Sequence, residues 1–382
     1  AFRKVLSDTL KKQYQDFTIS EGTLDNIERL KGENAFTVTT GHQLNLFTGP
    51  LYFLYKIASV INLARDLKTR FPGQEFVPVY WMASEDHDFD EICFFNFKGS
   101  RLRWKREASG AVGRLSTDGL EKVMKEFSDL LGPGKNAKQL LKLFRDSYLE
   151  HKTLAGATRY LANELFGKEG LVIVDGDDRE LKRLFAPKIK EELLNQSCVS
   201  EVSGTNKELE GKYHIQVNPR EINLFYLTDA LRERIVLEGE SYRVNQTDHV
   251  FSRESILVEL ENHPERFSPN ALMRPLYQEV ILPNLSYTGG GGELAYWMQL
   301  RRYFEKVDVP FPILHLRNSA LLVTEKEAGK LGKLDIEIPE LFQDQNELIS
   351  QKVKEISDLN IDFSPERKRL EEMFQSMKVI AE

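Results

Sequence analysis

The sequence predicts an α/β fold built on a parallel sheet, and three observations support that reading. Five short apolar runs have the character of core strands: Ala35 to Thr39, Phe76 to Met82, Leu171 to Val174, Val280 to Tyr287 and Phe311 to Leu316. Helical patterns lie between several of them. Two polar clusters sit where runs end, Thr39-Thr40-Gly41-His42-Gln43 and Ser84-Glu85-Asp86-His87-Asp88. Open α/β sheets bind ligands beyond the carboxyl ends of their strands. The two clusters are therefore the first candidates for an active site.

The elements follow in chain order. After Gly49-Pro50, the residues Leu54, Ile57, Ala58, Ile61, Ala64 and Leu67 recur at helical spacing, and Pro72-Gly73 stops the helix. With its flanking runs this makes a β-α-β unit, which favours a right-handed crossover and parallel pairing. Residues 99–166 interrupt the alternation with a hairpin expected around Ser109-Gly110 and then helices. Residues 200–261 interrupt it again with short strands such as Asn223 to Tyr226 and Arg234 to Leu237. Both stretches read as insertions into a core made of residues 1–98, 167–199 and 262–339; one continuous domain with long decorations is the alternative. Glu293 to Phe304 reads as a helix between the last two strands.

Residues 340–382 are polar and helical. Ser364-Pro365-Glu366 suits a helix start. Leu370, Met373, Met377 and Ile380 then step by three and four, the spacing of a coiled-coil seam, over less than two heptads. The chain ends inside this helix, so it is expected to be part of a longer protein.

Composition narrows the class. A net charge of -7 over 382 residues gives no footprint for nucleic acid. No apolar run is long enough to span a bilayer, and no signal peptide is visible. Cys93 and Cys198 are the only cysteines, so no disulfide framework is implied and a reducing cytoplasm is expected. Cys93 lies among Ile92, Phe94 and Phe95, which suits a buried, inert thiol.

Each motif has a functional and a bland reading. Gly41-His42 is similar to the second half of the His-x-Gly-His turn of nucleotide-transferring Rossmann proteins, with Thr39 in place of the first His. Gly allows close backbone approach, and His can donate to a phosphate or a developing charge. Gln43, Asn45 and Thr48 add polar groups to the turn. A His that only ties down its own loop is the alternative. In the second cluster, Glu85, Asp86 and Asp88 surround His87. Carboxylates beside an imidazole orient it and raise its pKa, which suits a general base. They could equally hold a divalent cation, or form a solvated acidic turn.

Gly289 to Gly292 and Glu293 join a strand to a helix. The exposed N–H groups of Gly290, Gly291 and Gly292 and the helix N-terminus suit a carboxylate or phosphate, although the Gly-Lys-Ser/Thr ending of a P-loop is absent. Glu293 either favours the helix dipole or binds a substrate amine. Arg317-Asn318-Ser319 and Arg274 are candidate carboxylate clamps. Asp175-Gly176-Asp177-Asp178 reads slightly better as an ordinary turn than as a ribose contact.

Together these residues resemble the bacillithiol biosynthesis cysteine-adding enzymes. The resemblance rests on Gly41-His42-Gln43 with Thr48-Gly49-Pro50-Leu51-Tyr52 and Lys56, and on Pro78-Val79-Tyr80-Trp81 with Glu85-Asp86-His87-Asp88 and Glu91. Arg274-Pro275, Leu282-Pro283, Gly290 to Glu293 with Ala295-Tyr296-Trp297, and Arg317-Asn318-Ser319 extend it over nearly the whole chain. It implies a Rossmann-like core with two inserted connecting-peptide subdomains and a C-terminal coiled coil that supports a homodimer. It also implies a cytoplasmic ligase that joins the cysteine carboxylate to the amine of glucosaminyl-malate.

Making an amide in water is uphill, so the carboxylate needs activation. ATP or another nucleotide is the candidate source, yet neither a P-loop nor the synthetase Lys-Met-Ser-Lys-Ser loop is present. On this view Asp86, His87 and Asp88 do base chemistry, and His42 with Gln43 faces the nucleotide or the carbonyl. Gly290 to Gly292, Arg274 and Arg317 hold carboxylates. Gly41, Asn45, Ser84, Glu85, Glu293, Tyr296 and Asn318 complete the binding residues, and no metal ligand is assigned. The competing readings are a synthetase-like nucleotidyltransferase or adenylating enzyme acting on another small carboxylate, and a scaffold working through the coiled coil.

Overall fold

A computed structural model describes residues 2–356 and 363–381. In chain order its strands are β1 (Ala35–His42), β2 (Glu75–Met82), β3 (Phe94–Phe97), β4 (Ser100–Arg103), β5 (Val172–Asp175) and β6 (Leu224–Leu227). They continue with β7 (Arg232–Glu238), β8 (Ser241–Val244), β9 (Val250–Phe251), β10 (Phe267–Pro269), β11 (Asn284–Gly289) and β12 (Ile313–Leu316). The order β12-β11-β1-β2-β5 makes one all-parallel sheet. The chain thus builds outward from β1 through β2 to β5, then crosses to the other side of β1 for β11 and β12. This is the Rossmann-like α/β core that the sequence implies, and the reversal between β1 and β11 is its switch point.

Burial explains why these runs are strands. β1 is buried at every position except Phe36, as expected of a central strand covered on both faces. β2 contains Pro78, which cannot donate to a ladder. β2 first pairs with β5 at Val79, so Pro78 lies just outside the doubly paired stretch. The helix Tyr52–Arg70 joins β1 to β2 and buries Phe53, Ile57, Val60, Ile61 and Ala64. Near the free edge of β5, the Tyr14 hydroxyl accepts from the Ile173 N–H at 2.8 Å and the Gln13 carbonyl from Asp175 N–H at 3.1 Å. Those side chains satisfy edge donors that would otherwise be open to pairing.

Several boundaries differ from the sequence reading. β1 runs three residues past Thr39, so Gly41 and His42 belong to the strand. The strand expected from Val280 begins only at Asn284, because Met273–Ile281 is a helix. Met273, Leu276, Tyr277 and Ile281 are buried at helical spacing, which a reading centred on the run Val280 to Leu282 overlooks. The helix expected over Glu293 to Phe304 is two, Gly291–Met298 and Arg301–Lys306. The hairpin expected at Ser109-Gly110 is β3–β4, turning at Lys98-Gly99, where both residues have positive φ. Gly110 instead has φ +73 and packs against the backbone of Asp229 and Ala230. The second interrupting stretch contributes β6 to β9 of an antiparallel sheet that β10 completes, in the order β10-β6-β7-β8-β9.

By internal contacts the chain forms two compact units, Ala1–Ser319 and Ala320–Glu382. The second contains the helices Glu325–Lys333, Gln345–Ile356 and Ser364–Ala381. It thus takes in residues 320–339, which the sequence reading groups with the core. On its last helix Leu370, Met373, Met377 and Ile380 are all exposed, Ile380 at 85%. Among the described residues no helix is long and apolar enough to cross a membrane.

The turn after β5 is set by packing. A Cβ on Gly176 would lie 2.6 Å from Cζ2 of the buried Trp81 and 3.2 Å from Tyr277. The Tyr277 hydroxyl also donates to the Gly176 carbonyl at 2.7 Å. Gly176→Ala should therefore destabilise the protein by about 1–3 kcal/mol through overpacking. Urea unfolding checks this, and an unchanged midpoint would show that the Trp81 layer yields freely.

Candidate active site

The carboxyl ends of β1, β2 and β11 open into a cavity of about 880 Å³ at the switch point. Gly41, His42 and Gln43 form its floor, with Tyr52 and Lys56 from the following helix. Glu85, Asp86 and His87 line the β2 side, while Gly290 to Glu293, Tyr296, Arg274 and Arg317 line the β11 side. The antiparallel sheet and the segment before it close the cavity with Arg220, Phe225, Arg232 and Arg234.

His42 is buried, its ring stacked on Tyr52 and edge-on to Phe53 at centroid distances of 5.4 and 5.1 Å. Nδ1 lies 3.0 Å from the Gln43 carbonyl oxygen. That oxygen can only accept, so Nδ1 holds the hydrogen and Nε2 presents a lone pair. Nε2 is buried without a partner. Burial first, and the Lys56 ammonium second, push the imidazole down to about 4, so it is neutral at physiological pH. His42 is thus an acceptor here, whereas the sequence reading emphasised donation to a phosphate.

Lys56 and Glu293 tie the two strand ends together. The Lys56 ammonium donates to the Gly41 carbonyl and to both Glu293 oxygens, the latter at 2.8 and 2.7 Å. Glu293 also accepts from the Tyr287 hydroxyl and the Gly290 N–H, each at 2.9 Å. Burial pushes the Glu293 carboxyl up, but Lys56, the Gly290 N–H and Tyr287 outweigh it and the net shift is downward. Burial likewise pulls the Lys56 ammonium down against the attraction of Glu293. With its acceptors occupied, Glu293 caps the glycine loop and neutralises a lysine; it is not free for a substrate amine.

The glycine loop needs no unusual backbone, since none of Gly289 to Gly292 has positive φ. Its glycines matter for space. A Cβ on Gly291 would meet nothing within 4 Å, and one on Gly292 only Gln216 at 3.9 Å. Side chains there would project into open volume, including the lined cavity. Gly41 is different: a Cβ would lie 3.2 Å from the Tyr287 hydroxyl and 3.4 Å from the Arg274 guanidinium. Its absence lets Arg274 approach the end of β1.

The acidic cluster is arranged differently from the expected base with orienting carboxylates. Asp86 Oδ1 accepts from the His87 backbone N–H at 2.7 Å, while Oδ2 accepts from Gln43 at 3.0 Å. Gln43 also donates to Glu91 at 2.7 Å, so its amide serves the loop. The His87 ring nitrogen Nδ1 lies 3.8 Å from Asp86 but 2.5 Å from the Arg232 guanidinium, which donates to it. Burial and Arg232 then lower the His87 pKa, where the sequence reading anticipated a rise. Glu85 pairs with Lys182, which is fully buried and also donates to the Phe267 carbonyl at 2.6 Å.

Four residues named from sequence do not line the cavity. Ser84 donates to Asp175, Asn45 contacts the Glu91 carbonyl at 3.4 Å, and Asp88 and Asn318 are exposed. The Asp175 turn proves structural: Asp177 is paired with Arg114 and Asp178 caps the helix Arg179–Asn195. Conversely, Lys56, Tyr52, Tyr287, Arg220, Arg232 and Arg234 line the cavity without having been assigned to it. Lys56 and Tyr52 sat within the motifs quoted for the family. The three arginines lie in a region whose pairing with the core no local pattern reveals. Among the described residues no cluster of three His, Cys, Asp or Glu side chains is placed to hold a metal.

The charge balance of the cavity is one-sided. Of its carboxylates, Glu293 and Glu85 are each matched by a lysine, and Asp86 accepts from Gln43 and the His87 N–H. Arg220, Arg234, Arg274 and Arg317 line the wall with no ion pair among the described residues. The Arg274 guanidinium touches only neutral groups, Gln278 at 3.2 Å and Tyr296 at 3.5 Å. Arg317 bonds the Asn318 carbonyl and Ser319 at 3.0 and 3.1 Å. Guanidinia held this way suit an anionic ligand with more than one carboxylate or phosphate oxygen.

His42 makes a pH test possible. Lys56, Glu293 and Arg317 are the charged groups that influence it, and its folded pKa of about 4 lies below the unfolded value of 6.5. The unfolded chain therefore binds the extra proton first. Stability should fall as pH drops from 6.5 toward 4, with a His42 contribution of about 3 kcal/mol at the lower end. Denaturant unfolding across that range should show a shallower slope for His42→Asn than for the parent. Identical slopes would mean that His42 is not held neutral.

Comparison with known proteins agrees with this architecture. Residues 1–318 match the family model described as "Bacillithiol biosynthesis BshC, N-terminal Rossmann-like domain". Residues 320–382 match "Bacillithiol biosynthesis BshC, C-terminal coiled-coil domain". A relative from Flavobacterium johnsoniae, named "Putative cysteine ligase BshC", is 55% identical over 99% of this chain and 72% of its own length. Relatives of the same name from Christiangramia forsetii and Cytophaga hutchinsonii are 54% and 42% identical, over 100% and 99% of this chain and 72% and 71% of theirs. The chain belongs to the bacillithiol biosynthesis BshC family.

Proposed function

We propose that this chain is a cysteine ligase that forms the amide between the cysteine carboxylate and the amine of glucosaminyl-malate, giving bacillithiol. The observation that supports this most directly is the set of guanidinia without ion pairs around a cavity whose carboxylates are already engaged, Glu293 and Glu85 by lysines and Asp86 by Gln43 and the His87 N–H. Malate brings two carboxylates, and Arg274 and Arg317 sit beside the glycine loop where they would hold them. His42, neutral and with Nε2 as acceptor, suits a donor such as the substrate amine. His87 is a weaker base candidate than its sequence context suggests, since Arg232 occupies its Nδ1 lone pair. Asp86 would act by holding the loop, accepting from the His87 and Asp88 N–H groups and from Gln43.

The remaining features complete the proposal. ATP or another nucleotide is the candidate activator of the cysteine carboxylate, entering at the same carboxyl ends. Residues 99–166 and 200–261 are inserted subdomains, of which the second walls the cavity. The seam Leu370, Met373, Met377 and Ile380 joins two copies in a homodimer, and the protein works in the cytoplasm without membrane or nucleic acid.

The test is direct. The chain is incubated with cysteine, glucosaminyl-malate and ATP, and bacillithiol is sought by mass spectrometry. Pyrophosphate exchange with a different small carboxylate, and no bacillithiol, would favour the adenylating-enzyme reading instead. Arg274→Met should weaken glucosaminyl-malate binding by roughly 10- to 100-fold, the loss of one charged hydrogen-bonding contact. Calorimetry reads the affinity, with a thermal melt to confirm folding. Unchanged affinity would remove Arg274 from the anion site.

A further inference from the structure

One carboxylate and three cations meet at the β11 side of the cavity, and only one pairing forms. Glu293 is surrounded by Lys56, Arg274 and Arg317. Lys56 takes both of its oxygens, at 2.8 and 2.7 Å. Arg274 and Arg317 take neither. The distances are nevertheless short. The point where Gly290 would place a Cβ lies 3.5 Å from Arg317 Nε and 3.6 Å from Glu293 Oε2, so those two atoms are at most about 7 Å apart. Arg274 is close as well: its guanidinium and the Tyr287 hydroxyl flank the same Cβ point at Gly41, and that hydroxyl donates to Glu293 at 2.9 Å. Both guanidinia are thus neighbours of the Glu293 carboxylate without being bonded to it.

We infer that Lys56 is a positioning residue that spares Arg274 and Arg317 for the ligand by saturating Glu293. This rests on the anion-binding reading of the cavity given above. The geometry of Lys56 fits the role. It is nearly fully buried, and its ammonium donates to Glu293 and the Gly41 carbonyl and, among the described residues, to no other group. It is therefore committed inward. Glu293 in turn cannot simply be absent, because it holds the Gly290 N–H and the Tyr287 hydroxyl that shape the glycine loop. A carboxylate needed for loop shape would, without its lysine, compete with an anionic substrate for the same guanidinia. Breaking a buried pair by removing one partner leaves the other charge to seek compensation, and here two guanidinia stand ready.

The experiment is a double-mutant cycle on the whole chain, read by calorimetry with glucosaminyl-malate. Lys56→Met should weaken binding at least tenfold, since Glu293 then pairs with Arg317 or Arg274. Adding Glu293→Gln to Lys56→Met should restore most of the lost affinity, because the neutral amide no longer competes. A purely structural lysine predicts the opposite: the double variant binds as weakly as Lys56→Met or worse. That result, or parental affinity in Lys56→Met, overturns the inference. Thermal melts identify any variant that fails to fold.

A second readout does not depend on the substrate. A ligand-free crystal structure of Lys56→Met should show Glu293 within ion-pair distance of Arg317 or Arg274. Glu293 still on Tyr287 and Gly290, with both guanidinia open, would equally overturn the inference. If the parent chain fails to bind glucosaminyl-malate at all, the functional reading falls while this structure still decides whether Lys56 spares the arginines.

Discussion

The ion pair between Lys56 and Glu293 is the interaction on which the rest of the site depends. It spans the point where the sheet reverses its strand order, joining the Gly41 carbonyl near the end of β1 to the glycine loop that follows β11. Without such a tie, two neighbouring strand ends with polar backbone groups facing a cavity would have to satisfy them with water. Lys56 answers this from inside, reaching up from a helix that is otherwise anchored by Phe53, Ile57 and Val60. The same ammonium lowers the proton affinity of His42. One buried cation thus holds the carboxylate that caps the glycine loop and adds to burial in keeping the histidine neutral.

Much of this was legible in the sequence, and the reasons are specific. Strand ends announce themselves when an apolar run stops at small or polar residues, and Gly41-His42, Ser84-Glu85 and Gly289-Gly290 all do so. All three converge in the structure. What the sequence could not supply was partnership. Asp86 and His87 are adjacent in the chain, which suggests that one orients the other, yet Arg232 lies closer to the imidazole than Asp86 does. Likewise Glu85 looked available until the buried Lys182, nearly a hundred residues away, was found against it. Long-range pairs of this kind leave no local pattern.

The same contrast holds for the fold. Continuous buried runs such as β1 and β2 are readable because both faces are covered and the positions between their polar ends, Glu75 and His42, are apolar or small. Ambiguity arose where an apolar run was short enough to suit either period. Val280 and Ile281 end a helix because Met273, Leu276 and Tyr277 bury the same face one and two turns earlier. The Lys98-Gly99 turn was missed for a different reason: Lys at positive φ is uncommon, whereas Ser109-Gly110 is a more usual turn dipeptide. There Gly110 is used for close backbone packing against Asp229 and Ala230.

Charge gives the cavity a further chemical property. An amine entering among several guanidinia meets a field that opposes its protonation, because nearby positive charge disfavours an ammonium. The neutral amine is the form that attacks a carbonyl, and it still has N–H groups to donate. Of the groups in this wall, Glu293 and Glu85 are already paired with lysines and Asp86 is engaged by Gln43 and the loop backbone. The unpartnered acceptor nearby is Nε2 of His42, itself kept neutral by burial and by Lys56. A cationic cavity with a neutral imidazole thus favours an amine in its reactive state beside carboxylates in their charged state. Those are the two protonation states that the proposed joining of an amine-bearing diacid to an activated carboxylate would require. On that proposal the lysines that look like structural counterions would make the combination possible, since an unmatched Glu293 or Glu85 would favour the ammonium and draw on the arginines.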